Sequence, residues 1–274
     1  MRSIASGLGY AAVLALFAGS AALHAQETKA PASASAYEPS VGQAGKDVVW
    51  VPTPQVLVEK MLDMAKATPK DYVIDLGSGD GRTVITAAKR GIRAHGIEYN
   101  PDMVELSKRH AKEAGVANRA TFEKADLFES DFSKATVITM FLLPEINLKL
   151  RPKLLDLKPG TRIVSNSFTM EDWEADEDVN VENCQSWCSA HMWIVPAKVD
   201  GAWSLGNSTL TISQKFQNFT GTVGSQAISN GKLRGADITF DAGGVKYVGR
   251  VNGNTISGTM SGSRTGNFTA TKTK

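Results

Sequence analysis

The stretch that decides the fold is "VIDLGSGDGR", residues 73–82: an apolar run broken by an acid, then glycine at every second position (Gly77, Gly79, Gly81) and an arginine. A buried strand that ends in so tight a turn and reopens as a helix lets the backbone approach a ligand and leaves free N–H groups pointing at it. The turn alone does not name that ligand. A phosphate loop would continue Gly-Lys-Ser/Thr, whereas Gly81 is followed by Arg82-Thr83. A dinucleotide fingerprint is G-x-G-x-x-G, and these glycines are spaced G-x-G-x-G. Asp75 weighs further against phosphate, because a carboxylate beside the turn repels a pyrophosphate and suits a ligand bearing an ammonium or sulfonium group.

Working outward, short apolar runs alternate with amphipathic segments from Val48 to about Ala197. Strands are predicted at 72–76, 94–98, 120–123, 136–142 and 162–165, with helices at 56–67, 83–89, from Asn100-Pro101-Asp102 to about 114, and at 145–157. Asn100 caps the third of these helices, Pro101 takes its first position, and Asp102 faces its positive end. This order predicts an α/β protein: a Rossmann-like, doubly wound parallel sheet with helices on both faces. Glu98 then stands at the end of the second strand, 23 residues after Asp75, where an acid in such a sheet bonds ribose hydroxyls. Asp126 follows the third strand, in reach of an adenine amino group. Any one of these acids reads equally well as a solvated loop carboxylate. Three at successive strand ends beside this turn fit a cationic ligand that carries a ribose and a base, and S-adenosylmethionine is such a ligand.

The segments "VPTP", "DLGSGDGR", "GIEYNP", "DLFESD" and "FLLPEINLKLRPKLLDLKPGTRIVSNSFTMEDW" carry a resemblance. Over about 120 of the 274 residues the chain resembles the class I S-adenosylmethionine-dependent methyltransferases. Within them it is similar to the protein-lysine methyltransferases that modify the ATP synthase c subunit and the adenine nucleotide translocator. The resemblance implies that Asp75 and Gly77 line the methionine end of the donor, that Glu98 holds the ribose, and that Asp126 and Leu127 frame the adenine; Gly79, Gly81 and Tyr99 complete the expected cofactor-binding set. Trp50, Pro52 and Thr53 precede the first helix, where they could cover the cofactor or the acceptor. A lysine acceptor must lose its proton before attack, which an apolar site favours. Phe141 and Pro144, in the run Phe141-Leu142-Leu143-Pro144 past the fourth strand, are the candidate acceptor-positioning residues, and simple core packing is the competing reading. No Asn/Asp-Pro-Pro-Tyr/Phe motif follows that strand, which argues against a nucleobase or amide acceptor, and no acidic pair there suggests a magnesium-dependent type. No metal is expected. A small-molecule O- or N-methyltransferase, or a non-catalytic envelope binding protein that retains the fold, are the alternatives.

A net charge of +2 without long runs of one sign gives no footprint for nucleic acid, so a protein or small-molecule methyl acceptor is the expected partner. Residues 1–25, with one arginine, an apolar stretch and Leu23-His24-Ala25 before Gln26, read as a secretory signal peptide. Export to the periplasm or cell envelope, with no stable membrane span after cleavage, is the expectation. Residues 26–46, rich in Ala, Pro, Ser and Gly, read as a flexible leader, and residues 47–198 as the methyltransferase domain. Cys184 and Cys188 would lie about 13 Å apart on an extended strand, so a disulfide requires a turn; free thiols, or a metal shared with His191, are the alternatives. Thirteen of the 25 glycines fall after residue 200, among alternating runs separated by Asn230-Gly231, Gly243-Gly244 and Asn252-Gly253. Residues 201–274 are therefore expected to form a small antiparallel barrel or sandwich.

Overall fold

A computed structural model describes residues 37–273; the signal peptide expected at 1–25 and most of the expected leader lie outside the described residues. The chain builds a seven-stranded mixed sheet and then a closed eight-stranded barrel. The sheet comprises β1 (Tyr72–Leu76), β2 (Arg93–Glu98), β3 (Ala120–Lys124), β4 (Val137–Met140), β5 (Arg162–Asn166), β6 (Glu177–Asn180) and β7 (Ser189–Ile194), in the order β3-β2-β1-β4-β5-β7-β6. Its helices are α1 (Gln55–Met64), α2 (Arg82–Lys89), α3 (Pro101–Glu113) and α4 (Pro144–Leu155). Strands β1 to β5 are parallel, as expected. β7 runs antiparallel to β5, and β6 antiparallel to β7, so the sheet is mixed rather than wholly parallel. β6 is short and largely exposed, without the apolar run that betrays a strand in sequence.

The pleat explains the division of side chains. Val73 and Val137 face a core shared with Leu57, Val84 and Val104 of α1, α2 and α3. Ile74, Leu76, Ile138 and Met140 face a second core with Ile146, Leu150 and Leu154 of α4 and the buried pair Trp173 and Trp193. Asp75 therefore points to the first face, and the register pairs it with Thr139 of β4. The strand order turns back between β1 and β4, with β2 and β3 on one side and β4 and β5 on the other. Such a switch point opens a crevice at the carboxyl ends of the strands.

The barrel runs through β8 (Gly201–Leu205), β9 (Ser208–Lys215), β10 (Asn218–Val223), β11 (Gln226–Arg234), β12 (Asp237–Ala242), β13 (Val245–Asn252), β14 (Thr255–Gly262) and β15 (Gly266–Lys272). Each strand pairs with the next and β15 pairs with β8, so it is a barrel and not a sandwich. Its interior is filled by Phe219, Phe240, Tyr247 and Phe268, with Phe240 and Tyr247 stacked at 4.5 Å between centroids. Two-residue loops sit at Gly243-Gly244 and after Asn252, as hairpin chemistry predicts. Asn230-Gly231 is different. It lies inside β11, at a register shift between Ser229 and Lys232, where a Cβ on Gly231 would meet the Phe219 carbonyl at 2.2 Å. The pair makes a β-bulge, not a hairpin, because close backbone approach uses the same residue types as a tight turn.

The barrel docks on the face of the sheet that bears α4. Phe216 stacks on Trp173 at 5.8 Å, Gln217 donates to the Glu174 carbonyl at 2.8 Å, and the Ala197 N–H donates to the Gly235 carbonyl at 2.8 Å. Gly235 lies against Gly160, just before β5, at the end of the sheet opposite the crevice.

Candidate active site

The glycine bend is built by its neighbours. The N–H groups of Gly77 and Ser78 both donate to the Ile97 carbonyl, at 2.9 and 3.1 Å, which ties the end of β1 to β2. Gly77, Gly79 and Gly81 have φ of +74°, +53° and +80°, conformations that L side chains rarely adopt. Glu98 then organises the loop across the crevice. One carboxylate oxygen accepts from the Gly79 N–H and the other from the Asn100 N–H, both at 2.9 Å. Asn100 Oδ1 in turn accepts from the Asp102 N–H and caps α3.

These elements enclose a cleft of about 280 Å³. Of the ten residues expected to bind the donor or position the acceptor, eight line it: Asp75, Gly77, Gly79, Glu98, Tyr99, Asp126, Leu127 and Phe141. Two do not. Gly81 is the residue before α2, and a Cβ there would meet Phe122 and Ser107 at 2.8 to 2.9 Å, so its bareness serves the packing of α2 and α3 on β3. Pro144 starts α4, where its fixed φ suits the first helical turn, and it leaves the lining to Phe141, Leu142 and Leu143.

Asp75 is 6% exposed. The Thr139 hydroxyl donates to it at 2.6 Å, and Thr83 also bonds it, but among the described residues no lysine or arginine pairs with it. Burial pushes its carboxyl up to about 7. Beside it Ser78 Oγ is buried without a hydrogen-bond partner. A buried carboxylate lacking a countercharge, next to an orphaned hydroxyl on a cleft wall, is a seat for a cationic polar group.

The segment read as the end of a flexible leader is instead part of the roof of this cleft. Gly42 N–H donates to the Trp50 carbonyl and Trp50 N–H to the Gln43 carbonyl, closing a loop with a bridge between Ala44 and Val49. The indole of Trp50 lies on the bend, so that a Cβ on Gly79 would meet its Nε1 at 2.7 Å. Lys46 reaches Asp126 at 2.5 Å and lies 4.6 Å above the Tyr99 ring. That ion pair, with the Phe128 N–H, holds the Asp126 carboxyl below its usual range. At the far end of the loop Thr53 accepts from Arg82 through its carbonyl at 3.0 Å and from Asn166 through its hydroxyl at 3.2 Å. Sequence reasoning named Trp50 as a cover for the site and missed Lys46, Thr83, Phe168 and Trp187 in the cleft, and Thr139, which lies buried behind it on Asp75. Thr139 could have been found, since β4 pairs beside β1 and alternation puts it level with Asp75.

Cys184 and Cys188 form a disulfide, with Cα atoms 5.7 Å apart across the turn that the spacing required. No cluster of metal-ligating side chains occurs among the described residues. No helix among them is long and apolar enough to cross a membrane.

A Rossmann-like sheet in the order 3-2-1-4-5-7-6, with a glycine bend and acids at successive strand ends around one cleft, defines a class I S-adenosylmethionine-dependent methyltransferase. The comparisons with known proteins agree. The family described as "ANTKMT methyltransferase domain" matches residues 75–177. A protein-lysine N-methyltransferase of Saccharolobus islandicus (strain REY15A) is 42% identical over 151 residues, 54% of this chain and 94% of that one. A lysine N-methyltransferase of the ATP synthase c subunit from Mus musculus is 36% identical over 46% of this chain, which spans only 51% of the mouse protein's length. A solved structure described as an RNA methyltransferase from Salinibacter ruber in complex with S-adenosyl-L-homocysteine is 46% identical, covers 54% of this chain and 96% of its own, and superposes with a TM-score of 0.52. The chain belongs to the protein-lysine N-methyltransferase family represented by the Saccharolobus protein, and its cofactor is S-adenosylmethionine.

Proposed function

We propose that this enzyme transfers a methyl group to the ε-amine of a lysine in a protein. The observation that carries the reading is the 42% identity to a lysine methyltransferase over 94% of that protein's length. Bound S-adenosylmethionine supplies an electrophilic methyl group on a sulfonium. In this reading Asp75 holds a cationic end of the donor, in the position where burial has left its charge uncompensated. Glu98, with both oxygens fixed by backbone N–H groups, keeps further lone pairs for ribose hydroxyls beside Tyr99. Asp126 and Leu127 frame the adenine, with Lys46 and Trp50 closing above. Phe141, Leu142 and Leu143 line the acceptor side. Their apolar surface favours the neutral amine that must attack, and the roof keeps water out of a displacement in which the positive charge passes from the donor sulfur to the acceptor nitrogen.

The test is transfer of radiolabelled methyl groups from the purified enzyme to protein, RNA and small-molecule fractions of a cell extract, with the labelled species identified. Label in protein that hydrolyses to methyllysine supports the reading; label confined to metabolites overturns it. An RNA acceptor is the second reading, favoured by the description of the Salinibacter structure, and label in RNA alone would establish it.

Export to the periplasm or cell envelope is also proposed. It is supported by the signal-peptide pattern of residues 1–25 and by the Cys184–Cys188 disulfide, since such bonds persist in oxidising compartments. A mature N-terminus at Gln26 in an envelope fraction would support it, and cytosolic recovery of the intact chain would overturn it.

A further inference from the structure

The acceptor side of the cleft ends in three aromatic rings drawn from distant parts of the chain. Phe141 follows β4, Phe168 follows β5, and Trp187 lies in the loop between β6 and β7. Their centroids are 5.5 Å apart for Phe141 and Trp187, 5.6 Å for Phe168 and Trp187, and 6.0 Å for Phe141 and Phe168. At such spacing the rings touch one another, so they make a continuous wall. All three line the cleft. Trp187 is its outermost member and remains 42% exposed, as does Leu143 nearby at 40%. Exposing an indole this large costs hydrophobic free energy unless something covers it in use.

Two features show that the position of Trp187 is imposed. Its φ is +57°, an outlier for a bulky side chain. The residue lies inside the small ring closed by Cys184 and Cys188, and that ring is pinned to the sheet by the Val181 N–H donating to the Cys188 carbonyl at 2.8 Å. The facing loop is held as well. Ser167, at φ +57°, donates its N–H to the Ser189 carbonyl at 2.9 Å, while Asn147 of α4 donates to the Thr169 carbonyl at 3.2 Å. A strained aromatic fastened by a covalent clip over a substrate cleft is a pre-organised contact. The whole clip lies beyond the residues matched by the family, which end at 177.

We propose that Trp187, clamped by the disulfide against Phe141 and Phe168, is a specificity-determining wall of the acceptor entrance that receives the alkyl chain and ammonium of the substrate lysine. The proposal rests on the protein-lysine reading above. An aromatic face gains from both parts of that side chain: its methylenes pack on the ring, and its cationic head is attracted to the ring's negative face before deprotonation deeper in the cleft. The disulfide acts through Trp187 as a positioning device and touches no reacting atom.

The experiment measures initial rates of radiolabel incorporation into lysine against the concentration of extract protein, for the wild-type chain, Trp187→Ala, Trp187→Phe and Cys184→Ser with Cys188→Ser. Calorimetric affinity for S-adenosylmethionine is measured on each. The expected result is a half-saturating extract concentration raised about tenfold in Trp187→Ala and about threefold in the double serine variant, with donor affinity unchanged within about twofold. Trp187→Phe restores most of the loss, and treating the wild type with a phosphine reductant reproduces the double serine variant. Unchanged half-saturation in Trp187→Ala with lysine still labelled overturns this proposal and leaves the lysine reading intact. Parallel loss of donor affinity also overturns it, because Trp187 would then support the fold or the donor. Absence of lysine label in the wild type overturns the lysine reading itself, and this proposal with it.

Discussion

In the sheet half, Asp75, Ser78, Asn147 and Ser165 lie buried, and three of these four leave a side-chain atom without a partner. In the barrel, Gln217 is the one buried polar side chain among the described residues, and its amide is satisfied by the Glu174 carbonyl. The barrel interior is aromatic and aliphatic throughout, and no described residue after Trp187 lines the cleft. The two regions thus differ in how completely their buried polar groups are satisfied. In the barrel most local preferences agree with the structure, the Asn230-Gly231 bulge and Phe216 at φ +54° being departures. Around the cleft, the positive-φ glycines of the bend, the orphaned Ser78 hydroxyl and the unpaired Asp75 carboxylate lie together.

The largest effect that would sharpen this contrast is in the barrel. Phe240→Ala removes a ring stacked on Tyr247 and set edge-on to Phe219, and should cost about 3 to 5 kcal/mol of stability by denaturant unfolding. Donor affinity at a temperature where the chain is still folded should not change. A matching loss of donor affinity would show that the halves are coupled, which the Trp173–Phe216 contact makes a fair test.

Asp75 should behave in the opposite sense. Asp75→Asn is expected to weaken S-adenosylmethionine binding about a hundredfold, yet to raise the melting temperature of the free protein at pH 8. The sign follows from the carboxyl, held at about 7 in the folded chain against an ordinary value of 3.8. The folded state binds its proton more tightly than the unfolded one, so stability falls as pH rises from about 4 to above 7. Donor binding should strengthen over the upper part of that range as the carboxylate ionises. Both pH dependences should flatten in Asp75→Asn, by melting curves and calorimetry between pH 5.5 and 8.5.

The smallest effect concerns the roof. Lys46→Ala removes an exposed ion pair with Asp126, and exposed pairs contribute little to stability. Melting temperature should hold, while donor affinity falls about threefold as the loop loses its clasp. An unchanged affinity would mean that the roof closes without Lys46.

How far each part could be read from sequence follows from how local its causes are. The Gly77-Ser78-Gly79 bend and the acids Asp75 and Glu98 are legible, because a strand, a turn and a helix start leave their marks within ten residues. Thr139 depends on which strand lies beside β1, a fact of topology. The front of the roof, residues 43–46, reads as leader because its composition is that of a linker, and what orders it is Lys46 meeting Asp126 eighty residues away. Trp187 is visible in sequence only as part of a turn between two cysteines. Its place on the cleft wall comes from β7 returning antiparallel beside β5, a matter of topology, and from the loop after β6, a strand without the apolar run that the parallel strands show.

The central claim is that a buried, uncompensated carboxylate beside a close backbone bend selects a cationic, ribose-bearing methyl donor over phosphorylated nucleotides. Isothermal titration of the full chain at pH 8 with S-adenosylmethionine, NAD and ATP tests it most directly. The account predicts that S-adenosylmethionine binds, that Asp75→Asn and Glu98→Ala each weaken it, and that neither phosphorylated ligand competes; tighter binding of NAD or ATP, with indifference to Asp75, would contradict it.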